Sequence, residues 1–147
     1  MRESDDSPLD LSREAAELRI ATFRLARRLR TQRAVDSMSD GQFAVLAALS
    51  MHGPHTLGEL AERERVSPPA MNRTVNCLQE DGYLTRSADE TDGRKVVIDL
   101  TDEGRAVVAE TARRRTAWLE SALAELDESE RSILSQAAEI MERVVAR

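Results

Sequence analysis

A chain of 147 residues with 27 acidic and 21 basic side chains carries a net charge of −6, which argues mildly against nucleic acid as a partner, although the sign of the contacting face counts for more than the total. The single cysteine excludes an intrachain disulfide and a cysteine-built metal cluster. No apolar run approaches the roughly 20 residues of a membrane span, and the charged start lacks a signal-peptide core, so a cytoplasmic protein is expected.

Charged residues make up 33% of the chain and aromatics only 3%, and the apolar positions are mostly Leu, Ala and Val, a balance that favours helices in one domain. Residues 1 to about 10 are polar and read as a loose arm. A long helix is expected next, because Leu11, Ala15, Leu18, Thr22, Leu25 and Leu29 alternate four- and three-residue steps like a heptad seam. Ile20 and Phe23 lie off that seam, so the helix needs more than one neighbour, and an intersubunit interface suits it better than burial within a monomer. Arg24, Arg27, Arg28, Arg30 and Arg33 read as a solvated face rather than a nucleic-acid site.

Ser39 and Gln42 form a capping-box pair, with Met38 and Phe43 as its hydrophobic staple. The helix they open runs through Leu46 and Leu49 and stops near Gly53-Pro54. Thr56 and Glu59 form a second box, opening a short helix with Leu57, Leu60 and Ala61 inward.

The stretch Val66–Gln79 is the most informative. Ser67 suits an N-cap, Pro68 the first helical position, and Val66 and Met71 a staple. At helical spacing Met71, Val75 and Leu78 share one face, while Pro69, Asn72, Arg73 and Asn76 share the opposite one. No acid interrupts it, and Asn and Arg suit base edges where a carboxylate would repel phosphate. Taken alone, the stretch reads equally well as an ordinary amphipathic helix with a solvated polar face. Its neighbours change that balance: two short helices joined by a tight connection match a helix-turn-helix, whose second helix enters the major groove. Residues 56–101 still hold nine acidic against six basic side chains, which predicts weak non-specific binding.

Gly82 suits a left-handed helix cap. Strands are expected at Tyr83–Ser87 and Val96–Leu100, with a turn over residues 88–93 marked by Asp92-Gly93. This hairpin would be a wing. Arg94 and Lys95 lie where its tip approaches a minor groove, and Asp92 is spaced to pair with Arg94, which is also the spacing of a plain surface ion pair. Thr101-Asp-Glu-Gly104 begins a long helix through Val108, Ala112, Trp118, Leu119 and Leu123 to Leu126. Asp127 to Glu130 caps a last helix with Ile133, Leu134, Ala137, Met141 and Val144 on one face.

From about residue 12 onward the chain resembles the MarR family of bacterial transcription regulators. Asp92-Gly-Arg94 followed by Val96, Leu100, Thr101 and Gly104 is similar to the family's wing pattern. Ser67 to Arg73 with Leu78 and Gly82 resembles its recognition helix, and residues 38–49 its second helix. The resemblance implies a homodimer held by terminal helices, with two winged helices gripping a pseudo-palindromic DNA duplex. It assigns the major groove to Ser67, Pro69, Asn72, Arg73 and Asn76, and the wing contact to Asp92 and Arg94. It also implies release by a small aromatic or phenolic ligand, for which His52 and Trp118 are candidates, or oxidant sensing by cysteine. Cys77 does not sit in the first helix, and its helical angle predicts an inert packed thiol. His52 and His55 lack a carboxylate or thiolate cluster, so no metal and no cofactor are expected, and the two histidines read as surface or loop-packing residues.

The expected fold is mainly α: a winged helix-turn-helix over 37–101, with a two-stranded β-wing, between long N- and C-terminal dimerisation helices over 1–36 and 102–147. One tiny extra strand is expected before the third helix. The expected function is a homodimeric, sequence-specific DNA-binding regulator, a repressor relieved by a ligand. Arg73 and the two asparagines are expected to read bases. The alternative is a winged-helix dimer that binds protein, which the acidity motivates. An enzyme is not expected, since no nucleophile–base pair or phosphate-cradling loop is legible.

Overall fold

The computed structural model describes residues 8–147. Eight elements follow in chain order: α1 (Pro8–Arg30), α2 (Asp40–His52), α3 (Leu57–Arg63), α4 (Pro68–Glu80), β1 (Leu84–Ala88), β2 (Val96–Leu100), α5 (Asp102–Ala124) and α6 (Glu128–Val145). This is the expected order of a mainly helical chain with one antiparallel hairpin. Pro8 to Asp10, expected in a loose arm, belong to α1 instead; the remainder of that expected arm, residues 1–7, lies outside the described residues.

Residues 32–114 form one compact unit, containing α2, α3, α4 and the hairpin. Its core gathers Val45, Leu46 and Leu49 from α2, Leu60 and Ala61 from α3, and Met71, Val75 and Leu78 from α4. Leu84, Ile98 and Leu100 close it from the hairpin, and Met38 from the connector. Each full burial of such a side chain is worth about 1.5–3 kcal/mol, so the helical and alternating periods alone dictate which faces meet.

Local chemistry sets the boundaries. Ser39 and Gln42 form both halves of a capping box, as do Asp127 and Glu130. Thr56 forms only half of one: its hydroxyl accepts from the Glu59 N–H, but it donates to the Glu59 carboxylate, which therefore does not reach back to the cap backbone. Gly53 and Gly82 adopt φ of 82° and 86°, where a side chain would be strained, and both end helices. β1 starts one residue later than its hydrophobic pattern suggests. Tyr83 is already committed, its N–H to Leu78 and its carbonyl to Thr101, so the ladder begins at Leu84 opposite Leu100. The small extra strand is a single bridge in which His55 and Ile98 exchange both backbone hydrogen bonds.

Residues 8–31 and 115–147 make up the second unit. Its apolar side chains stay largely in solvent: Leu11, Leu18 and Phe23 of α1 are 59%, 55% and 60% exposed, and no α6 residue is buried. Arg24, Arg27, Arg28 and Arg30 are exposed, as expected of a solvated face. Arg33, in the other unit, departs from that reading. It is half-buried and donates to the Met38 carbonyl and to Asp40, both at 2.6 Å.

Candidate nucleic-acid interface

α4 begins with Ser67 as N-cap, its hydroxyl accepting from the Ala70 N–H at 3.3 Å, and with prolines in its first turn. Met71, Val75 and Leu78 are 2%, 0% and 1% exposed, so the apolar face is anchored and the opposite face must look outward. Ser67, Pro69, Asn72 and Arg73 are exposed there, and Asn76 is half-buried. Val66, expected as the staple partner of Met71, is 43% exposed. The helix runs one residue past the acid-free stretch and ends in Glu80, remote from the polar first two turns. No carboxylate pairs with Arg73 among the described residues. Its charge is therefore available to a partner.

α3 and α4 pack together as the helix-turn-helix, joined by a tight turn in which Arg65 takes φ 54°. The Val66 N–H closes that turn on the Ala61 carbonyl at 3.0 Å. A left-handed arginine costs about 1 kcal/mol or more relative to glycine, a strain the packed helices on either side sustain.

The hairpin tip follows. Asp89 donates its N–H to the Lys95 carbonyl and accepts from both the N–H and the hydroxyl of Thr91. Those Thr91 hydrogen bonds hold the Asp89 carboxyl below its ordinary range. Asp92, expected to pair with the Arg94 side chain, instead accepts from the Arg94 backbone N–H at 3.2 Å. The carboxylate therefore shapes the turn, and the guanidinium is not tethered by it. Arg94 and Lys95 are fully on the surface at the tip.

One residue that sequence spacing did not single out joins these parts. Arg86, half-buried on β1, donates to Oδ1 of Asn76 at 2.9 Å and to Oδ1 of Asn72 at 3.1 Å. The signal was present in the alternation of β1. Arg86 lies two residues from Leu84 and opposite Ile98, on the face that looks inward toward α4. A cation on the inward face of a short strand needs partners, and the asparagines supply them.

Cys77 corrects the expectation of a packed thiol. It is exposed on the flank of α4, where Gln42 donates to its sulfur at 3.4 Å, beside a cleft lined by Val35, Met38 and Tyr83. His52 and Trp118 fall in different units. His52 is exposed with its ring edge-on to His55, and Trp118 lies under the Arg28 guanidinium, 5.6 Å from the ring centre. His55 is a buried packing residue, and no cluster of metal-ligating side chains exists among the described residues.

The sequence profile of the MarR family matches residues 38–96, the helix-turn-helix and most of the wing. An HTH-type transcriptional regulator of Mycobacterium tuberculosis is 38% identical over 130 residues, spanning 88% of this chain and 91% of its own. The chain belongs to the MarR family. Similar too is the HTH-type transcriptional repressor MdtR of Bacillus subtilis, 33% identical over 70% of this chain and 64% of its own. A Pseudomonas aeruginosa protein described as a transcriptional regulator has the same fold, with a TM-score of 0.85 and 31% identity over 96% of this chain and 99% of that one. As a MarR protein the chain is a DNA-binding transcriptional regulator of the winged helix-turn-helix type and not an enzyme. No described helix of this MarR regulator is long and apolar enough to cross a membrane.

Proposed function

We propose that this MarR protein is a homodimeric repressor that reads a pseudo-palindromic operator and is relieved by a small ligand. The observation that carries the reading is the exposed polar face of α4, free of acids through its first three turns and flanked by an arginine-tipped hairpin. Ser67, Pro69, Asn72, Arg73 and Asn76 are its major-groove residues, with Asp92, Arg94 and Lys95 at the wing. Residues 37–101 serve as the DNA-binding region. Residues 1–36 and 102–147 serve for dimerisation, and the exposed apolar side chains of α1 and α6 support that role. Ile133, Ile140 and Val144 are 62%, 51% and 58% exposed along α6, and Phe23 is 60% exposed on α1. A single chain gains nothing from solvating them, and a second copy buries them. Two recognition helices related by a two-fold axis read half-sites about one helical turn apart. The repressor sense is supported by the name of MdtR.

The ligand acts only through differential affinity, binding the helix spacing that misses DNA better than the spacing that fits it. An aromatic or phenolic anion suits a site near Trp118, where Arg28 already supplies a cation over the ring. His52 is the other candidate.

Selection of bound fragments from a random duplex pool, followed by gel shifts across a salt series, tests this reading. A two-fold symmetric motif and a steep loss of affinity with salt are expected, since phosphate contacts release counterions. Sedimentation should give a dimer, and Phe23→Glu with Ile133→Glu should give monomers that lose operator affinity. A wild-type monomer, or complexes indifferent to salt, would remove the reading and favour a protein-binding module.

A further inference from the structure

Arg86 reaches across from β1 to the oxygens of both asparagines on the recognition face, at 2.9 Å to Asn76 and 3.1 Å to Asn72. A guanidinium has donors only, so the atoms facing it are necessarily the carboxamide oxygens. That fixes which way each amide is turned. The group turned away from Arg86 on each asparagine is the NH2, which only donates. A free asparagine recognises adenine with both ends at once, its oxygen accepting from N6–H and its nitrogen donating to N7. Here the oxygens are engaged by a cation. A further donor from adenine N6 would have to approach the same oxygen beside that positive charge, and an NH2 group that donates to adenine N7 meets the adjoining N6 amino group donor to donor, whereas guanine sets a second acceptor there. Guanine offers O6 and N7, and thymine offers O4, all acceptors that match an outward NH2.

We propose that Arg86 is a positioning residue that locks Asn72 and Asn76 amide-outward, so that α4 selects guanine or thymine edges and discriminates against adenine at the positions they read. This rests on the reading above that α4 lies in the major groove. Arg86 itself need not touch DNA. It is half-buried on the inward face of β1, whereas Arg73 and Arg94 are exposed.

Fragment selection with the full-length wild type, Asn72→Ala and Asn76→Ala first locates the base pairs each asparagine reads. Guanine or thymine is expected there. Arg86→Met keeps the apolar stem and removes the donors; it should let adenine in, with discrimination falling about tenfold and the salt slope unchanged. Arg86→Lys, with a single donor group, should restore part of the preference, which a purely structural role would not do. In the wild type, an operator carrying adenine at such a position should regain about tenfold in affinity when that adenine is replaced by purine, which keeps N7 but lacks the N6 amino group; no regain overturns the proposal, and this arm decides the matter even if Arg86→Met does not fold. Adenine at those positions in the wild-type motif, or an unchanged preference in Arg86→Met, overturns the proposal alone. So does a uniform loss in Arg86→Met with the salt slope reduced by about one, which would make Arg86 a phosphate contact. A chain that selects no sequence removes the underlying reading and this proposal with it.

Discussion

Gly104 in the first turn of α5 packs directly against the carbonyl of Tyr83, so a Cβ there would drive into the carbonyl oxygen and lie 3.1 Å from Leu100 Cδ2. The approach is forced by Thr101. Its N–H bonds the Tyr83 carbonyl at 3.1 Å, and its hydroxyl donates to Gly82 at 2.6 Å while accepting from the Gly104 N–H. Helix α5 is thereby pinned to the end of α4 and the root of the wing. Because backbone, not a flexible side chain, opposes the methyl, Gly104→Ala should cost about 1–3 kcal/mol in urea unfolding. Gly58, helical with nothing within 4 Å, is the control. There the same substitution should stabilise by about 0.5–1 kcal/mol. Equal effects at the two sites would show that α5 slides to relieve the contact.

The wing separates a shaping residue from a contacting one. Asp92 holds the Arg94 backbone N–H, so Asp92→Asn, which keeps an acceptor oxygen, should bind DNA close to wild type, and Asp92→Ala should not. Arg94→Ala should weaken binding to every sequence and lower the salt slope by about one, the mark of a phosphate or minor-groove contact. Parallel titrations of specific and random duplexes check this. Arg94→Ala binding its operator as tightly as wild type would remove the wing assignment.

What the sequence revealed, and what it hid, follows from distance along the chain. The caps at Ser39, Ser67 and Asp127 span three residues, and each formed as spacing predicts. The buried faces of α2, α3 and α4 follow from period alone. Arg86 and its asparagines are separated by 10 and 14 residues, and only the folding of β1 against α4 brings them together. The Arg94 side chain escapes Asp92 for a subtler reason: residues two apart at a turn are close, but it is the Arg94 backbone N–H that meets the carboxylate. Cys77 failed because a flank position on a helix is buried or exposed according to what packs beside it, which in this case is the side chain of Gln42.

A carboxylate on α5 gives a pH dependence of known sign. Hydrogen bonds from Arg113 and then Arg114 hold the Glu110 carboxyl down from its ordinary 4.5 to about 2. Arg114 also donates to the Arg33 carbonyl at 2.9 Å, so the pair supports the entry to the 32–114 unit. A depressed folded-state value means the contribution is complete above pH 4.5 and is lost as pH falls through about 2. The group is solvated, so the effect is small. In thermal unfolding, Glu110→Gln should lie below wild type at pH 6 and converge with it toward pH 2. A constant difference across that window would assign the effect to packing instead.

His55 ties the helix-turn-helix to the wing. Its backbone exchanges hydrogen bonds with Ile98 of β2, while Nδ1 faces the Gly53 carbonyl at 2.7 Å and Nε2 faces the Arg63 Nε–H at 3.3 Å. A carbonyl only accepts and a guanidinium only donates, so the proton sits on Nδ1 and Nε2 is the acceptor. The ring is buried, and no other residue type places a donor and an acceptor at these two points with the same rigidity. His55→Ala keeps the backbone bridge and strips both side-chain bonds, leaving a carbonyl and an arginine N–H to find water. A loss of about 1–3 kcal/mol is expected, the cost of leaving a buried polar group unmet. His55→Asn, able to donate and accept over a shorter reach, should recover part of it. Amide exchange at Ile98 reads the consequence directly: it should accelerate in His55→Ala beyond what global destabilisation requires, because the bridge loses the side chain that holds its strand in place. Exchange that tracks global stability alone would confine the histidine to filling space.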